Sequence, residues 1–173
     1  MTTHDPYAGV PAGSVDLHLT SDDFAEGEAL PESATGAGST PGGADRNPQL
    51  GWDAPPEGTV SLLVSCYDPD APTPSGYWHW TVANLPADTS EIVAGGSGAL
   101  AAPALTLKND GGTPTFQGAA PPAGHGPHRY IFAVLALDTV LDIDAETRPA
   151  VAYFLAREHV LGRGLLTGTW ENN

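Results

Sequence analysis

Two alternating runs flank a proline-stiffened acidic turn, and this arrangement constrains the chain more than any other stretch. Val60, Leu62, Val64 and Cys66 alternate with Ser61, Leu63, Ser65 and Tyr67, the period-2 pattern of a strand with two distinct faces. A second strand-like run covers 78–85. Between them lie Asp68-Pro69-Asp70-Ala71-Pro72-Thr73-Pro74-Ser75-Gly76, whose prolines fix and whose glycine frees the backbone where a strand cannot continue. The turn carries two carboxylates, and the exit strand opens with a histidine between tryptophans, Trp78-His79-Trp80. A rigid polar turn after a buried strand is a common way for a scaffold to present a site.

The rest of the chain reads as turns joining short elements. Residues 1–13 read as a flexible N-terminal arm and 14–173 as one domain, a size that can bury a core without disulfide or metal staples. Val15, Leu17 and Leu19 alternate with Asp16, His18 and Thr20, predicting a strand over 14–20 with His18 on its wet face. Residues 33–45 read as a small-residue loop, Pro55-Pro56-Glu57-Gly58 as a turn, and 94–104 as another small-residue loop. Pro86 ends the second strand because it cannot donate to a ladder. After a Pro/Gly loop over 113–126, the most apolar strand candidate covers 128–137. It places Ile131, Ala133, Leu135 and Leu137 on one face and His128, Tyr130, Phe132 and Val134 on the other. Between 144 and 159 the pattern turns helical, with Pro149 in the first turn, an apolar stripe of Val151, Phe154 and Leu155, and Gly162 or Gly164 as the stop. A closing strand is expected over 165–170. The fold class is mainly β, two packed antiparallel sheets with one or two short peripheral helices.

Charge narrows the partners. Six basic residues face 21 acidic ones, for a net charge of −15, and Lys108 is the single lysine. Such a surface repels polyphosphate backbones and anionic bilayers, so nucleic-acid binding is not expected. It would suit a high-salt cytoplasm, where screening quenches self-repulsion. The single cysteine, Cys66, falls inside a strand pattern and reads as a small buried apolar residue. The first residues lack a basic, then apolar, leader pattern, and no apolar run nears the roughly 20 residues of a membrane span. The expected location is cytoplasmic.

The chemistry on offer is that of proton donors and carboxylates. His128 and Tyr130, at i and i+2, project from one strand face and can converge on one ligand. His79 is expected on the face opposite Trp78 and Trp80, beside the turn holding Asp68 and Asp70. Imidazoles and a phenol can donate to an anion, while carboxylates orient the histidines or meet an ammonium. Such a set suits a small phosphate, including one that carries its own amine. The loop Gly118-Ala119-Ala120-Pro121-Pro122-Ala123-Gly124 could wall the pocket. Each residue also has a structural reading: the aspartates as Asx turn formers, His79 as a packed core residue, Tyr130 as a strand former.

Taken together, Asn47-Pro48-Gln49-Leu50-Gly51-Trp52, Asp68-Pro69-Asp70-Ala71-Pro72, Trp78-His79-Trp80 with Asn84-Leu85-Pro86, Pro121-Pro122-Ala123-Gly124 and His128-Arg129-Tyr130 resemble the phosphatidylethanolamine-binding protein family, in its bacterial and archaeal branch. The resemblance covers roughly 14–170. It implies two packed antiparallel sheets with an anion pocket at one end. The pocket residues it implies are Asp68, Asp70, Pro72, His79, Ala120, Pro121, Pro122, His128 and Tyr130. It further implies binding of a phospholipid headgroup or phosphorylated ligand and, for some members, inhibition of a kinase or protease. A cis peptide at a pocket proline is expected by resemblance, with Ala71–Pro72 the candidate. Ala119-Ala120 stands where relatives often carry glycine or Gly-Pro, and Phe116 where tyrosine is common.

Three functions are compatible with these residues. The first is a non-catalytic binding protein for a phosphate-bearing small molecule, needing neither cofactor nor metal. The second is a regulator docking on a partner such as a kinase or protease, with a homodimer a reasonable assembly. The third is a metal-dependent hydrolase built on His79, His128, Asp68 and Asp70; it lacks a separate nucleophile with activating spacing.

Overall fold

The computed structural model describes residues 5–9, 14–98, 100 and 102–173. A six-stranded sheet dominates it, in the order β1 (Val15–Asp16), β8 (Val160–Trp170), β7 (His128–Leu137), β3 (Ser61–Asp68), β4 (Tyr77–Pro86) and β6 (Leu105–Thr106). All pairs are antiparallel except β1 with β8. A second, two-stranded sheet joins β2 (Leu50–Gly51) to β5 (Glu91–Ile92). Leu50 and Ile92 are buried in the same cluster as Leu62, Val64, Cys66, Trp80, Val82, Phe132 and Val134, so the small sheet packs on that face of the large one. The other face buries Leu63, Ala83, Leu135 and Leu137 against α1 (Pro149–Ala156). No helix among the described residues is long and apolar enough to cross a membrane.

The long central strands follow the alternation in the sequence, and β7 has the expected limits. Four features differ. The strand over 14–20 is hydrogen-bonded as β1 only at its start, because His18 takes a left-handed φ of 43°. Leu17 and Leu19 are nonetheless buried, while Val15 lies half exposed at 50%. The helix begins with Pro149 at its first turn, as expected, but packs through Pro149, Ala152 and Ala156. Val151, Phe154 and Leu155, the expected core stripe, face solvent at 46%, 61% and 40% exposure. Alanines let the helix lie close to the sheet, and larger side chains on that face would hold it off. The closing strand starts at Val160, so Gly162 and Gly164 lie inside a strand rather than after a helix. Finally, the cis peptide is at Ala102–Pro103, not Ala71–Pro72.

Of the expected arm, residues 1–4 and 10–13 lie outside the described residues, as do 99 and 101 of the loop over 94–104. Within residues 5–9, one side chain is anchored to the domain. Tyr7 is 3% exposed, packs edge-on against Tyr153 at 5.8 Å and reaches Ser65 Oγ at 3.4 Å. Arg163 donates to its carbonyl at 2.8 Å. An aromatic ring supplies enough apolar area to hold a short segment down.

Candidate functional site

Because β3 runs antiparallel to both neighbours, its C-terminal end meets the N-terminal ends of β4 and β7. Asp68, Tyr77, His79, His128 and Tyr130 are therefore brought to one edge of the sheet from three strands. They line a cavity of ≈ 320 Å³ together with Ala71, Pro72, Thr73, Gln117, Gly118, Ala120, Pro121 and Pro122.

A register shift aims His79. Cys66 pairs with Trp80 and Tyr67 with Trp78, leaving His79 as the extra residue between them. Bulges of this kind re-aim a side chain. His79 and Trp80 consequently serve the same side of the sheet: Trp80 enters the main cluster, while the His79 ring meets Tyr130 edge-on at 5.1 Å. Trp78 alone takes the opposite face, against Tyr67 and Tyr153. The expectation that His79 opposes both tryptophans thus holds for Trp78 and fails for Trp80.

The two imidazoles have different backing. His79 Nδ1 lies 2.8 Å from the Gln117 carbonyl, which can only accept, so Nδ1 carries the proton and Nε2 is left over. Gln117 N in turn donates to the His79 carbonyl at 3.0 Å. His128 Nδ1 lies 2.8 Å from Asp68 Oδ2, both side chains 4% exposed. Asp68 Oδ1 accepts from the Asp70 amide at 2.8 Å, so Asp68 shapes the turn and orients a ring at once. His79 Nε2 and Tyr130 Oη are buried without a hydrogen-bond partner. Burial pushes the His79 ring below the usual imidazole range, against the pull of the Gln117 carbonyl and of Asp68 and Asp110. Burial also raises the Tyr130 phenol, helped by Asp68; the Ala120 amide works weakly the other way without an ordinary hydrogen bond. The phenol stays protonated at neutral pH.

The loop wall is fixed from outside. Gly118 N donates to Asp45 Oδ1 at 2.7 Å, and Ala119 N donates to the Ala34 carbonyl at 3.0 Å while its own carbonyl accepts from Gly36. A Cβ on Gly118 would collide with the Thr35 carbonyl group, so only glycine fits there. Asn172 Nδ2 donates to the Pro121 carbonyl at 2.8 Å.

Eight of the nine expected residues line this cavity: Asp68, Pro72, His79, Ala120, Pro121, Pro122, His128 and Tyr130. Asp70 does not. Its carboxylate is claimed by Arg129, which donates through its amide at 3.0 Å and through Nε and Nη2 at 2.8 Å each. This fork pulls the carboxyl below its ordinary range, chiefly through the guanidinium hydrogen bonds. Asp70 clamps the turn to the start of β7. Among the described residues no group of three or more His, Cys, Asp or Glu is placed to hold a metal. Sequence reasoning missed Tyr77, Thr73, Ala71 and Gln117 as lining, while Gly118 belongs to the loop expected to wall the pocket. The strand alternation before Trp78 could have pointed to Tyr77, whose hydroxyl donates to Gln117 Oε1 at 2.9 Å. Gln117 acts through its backbone, which no residue-type argument finds.

A model of the family described as phosphatidylethanolamine-binding protein matches residues 20–171. The chain belongs to the phosphatidylethanolamine-binding protein family. UPF0098 protein YbhB of Escherichia coli is 44% identical over 155 residues, covering 87% of this chain and 98% of that protein. The solved structure of E. coli YbcL, titled a new member of the mammalian PEBP family, superposes with a TM-score of 0.84 at 34% identity, over 92% of this chain and 100% of that one. The Chlamydia trachomatis homologue CT736 superposes at 0.78 with 26% identity, over 92% of this chain and 100% of that one.

Proposed function

We propose that this protein is a non-catalytic binder of a small phosphate-bearing molecule or headgroup, held in the cavity at the edge of β3, β4 and β7. One observation carries the reading: two buried polar atoms, His79 Nε2 and Tyr130 Oη, have no partner within the protein and both residues line the same cavity. Buried polar groups are almost always paired, so a pair left open in one cavity points to a polar ligand. His128, steered by Asp68 at 2.8 Å, adds a second ring from the neighbouring strand. At ≈ 320 Å³ the cavity is at the small end for ligand sites, which fits a headgroup and not acyl chains.

Calorimetric titration of the whole chain with phosphoethanolamine tests this. Saturable binding that weakens at least tenfold in both His128→Ala and Tyr130→Phe supports the reading. Absence of binding to the folded wild type at millimolar ligand overturns it.

A further inference from the structure

The two imidazoles of the cavity are backed unlike one another, and that asymmetry specifies the ligand more narrowly than the word phosphate does. His128 Nδ1 is held by a carboxylate, Asp68 Oδ2, at 2.8 Å. With Nδ1 turned to the carboxylate, that ring is fixed at the cavity wall, and a hydrogen bond donated from its Nε2 requires a proton on both ring nitrogens. His79 Nδ1 is held by a neutral carbonyl, that of Gln117, at 2.8 Å. Its ring is 5% exposed and no carboxylate touches it. The groups facing it are Asp68 from β3, Asp110 from the loop after β6, His128 and Tyr130 from β7, and its own neighbour Tyr77. The aspartates act on it at a distance, and His128 opposes them. With the proton committed to Nδ1, Nε2 presents a lone pair. Tyr130 Oη, a phenol with nothing to donate to, is its counterpart.

Resting on the phosphate-binding reading above, we infer that the cavity selects a phosphate group that still carries a proton, a monoester and not a diester: its P–OH donates to His79 Nε2, while its anionic oxygens accept from Tyr130 Oη and His128 Nε2. A phosphomonoester has a second dissociation near pH 6, so a protonated form is accessible at neutral pH. A phosphodiester has no P–OH. It would set an anionic oxygen against the His79 lone pair, leaving two buried acceptors facing each other, a loss worth roughly tenfold or more in affinity. An intact phospholipid headgroup is a diester and would be the poorer ligand on this count.

The test is a paired titration of the wild-type chain, labelled with 15N at histidine, using phosphoethanolamine and glycerophosphoethanolamine. The expected result is a monoester affinity at least about tenfold above that of the diester. In the monoester complex, His79 Nε2 should keep the 15N shift of an unprotonated, hydrogen-bonded ring nitrogen, and at pH values above the second phosphate dissociation the affinity should fall by at least about tenfold per pH unit. Equal affinities for the two compounds, or a His79 Nε2 that gains its own proton on binding, would overturn the inference while leaving phosphate binding intact. Failure of both compounds to bind strikes instead at the broader reading.

Discussion

At the residue scale, the site depends on pairs in which one member steers the other. Asp68 is the clearest case, giving one oxygen to the Asp70 amide and the other to His128. Asp68→Asn keeps the size and the turn-forming oxygen but removes the charge that backs the ring. Phosphoethanolamine affinity should drop roughly tenfold, given that charge-assisted hydrogen bonds exceed neutral ones by about 1–1.5 kcal/mol, and the unfolding midpoint should fall as well, because the Asp68–His128 bond is already buried in the free protein. Calorimetry and denaturation on the same sample would check both. His79 makes a pH prediction. Burial is the main cause of its lowered pKa, so the unfolded chain takes up its proton more readily than the folded one. Its contribution to stability is complete above about pH 6.5 and is lost as pH falls from there through the lower folded value. The difference in urea midpoint between wild type and His79→Gln should therefore change between pH 7.5 and 5, moving against the wild type. A difference independent of pH contradicts this assignment. His18, raised by its hydrogen bond to Asp53, is present in both proteins and cancels.

At the element scale, what the sequence disclosed and what it hid have physical causes. Strands β3, β4 and β7 were legible because their alternation is enforced by two different buried layers, one against β2 and β5 and one against α1. The bulge at His79 was not, since a one-residue register shift leaves no trace in residue type; it puts His79 and Trp80 on one side where alternation separates them. Asp70 lies outside the cavity lining for a related reason: Arg129, its neighbour in space though 59 residues away in sequence, engages its carboxylate, and residue type alone does not reveal that pairing. The helix misled through size. Apolar bulk at Val151, Phe154 and Leu155 suggested a core face, yet the buried face is Pro149, Ala152 and Ala156. Two substitutions separate the readings. Phe154→Ser should alter stability by no more than about 0.5 kcal/mol, as expected of a surface position. Ala152→Leu should cost about 1–3 kcal/mol by overpacking against the sheet. A large loss from the first and none from the second would reverse the assigned faces.

At the scale of the whole molecule, a net charge of −15 surrounds a cavity proposed to take an anion. Arg129 is bound to Asp70, and no lysine or arginine lines the cavity. The cavity therefore meets a ligand with imidazole and phenol groups and no fixed cation, against a repelling background. Self-repulsion also tensions the fold. Raising NaCl from about 0.01 M to 1 M shortens the Debye length from about 30 to 3 Å, and the thermal midpoint should rise across that range; a fall would mean that ion pairs such as Lys108–Glu146 outweigh the net repulsion. The account stands most directly on where a phosphate sits. A crystal structure of the complex with phosphoethanolamine should place the phosphorus among His79 Nε2, His128 Nε2 and Tyr130 Oη, each within about 3.2 Å of a phosphate oxygen. Density for the ligand elsewhere on the molecule, with those atoms facing an empty cavity at saturating concentration, would contradict it.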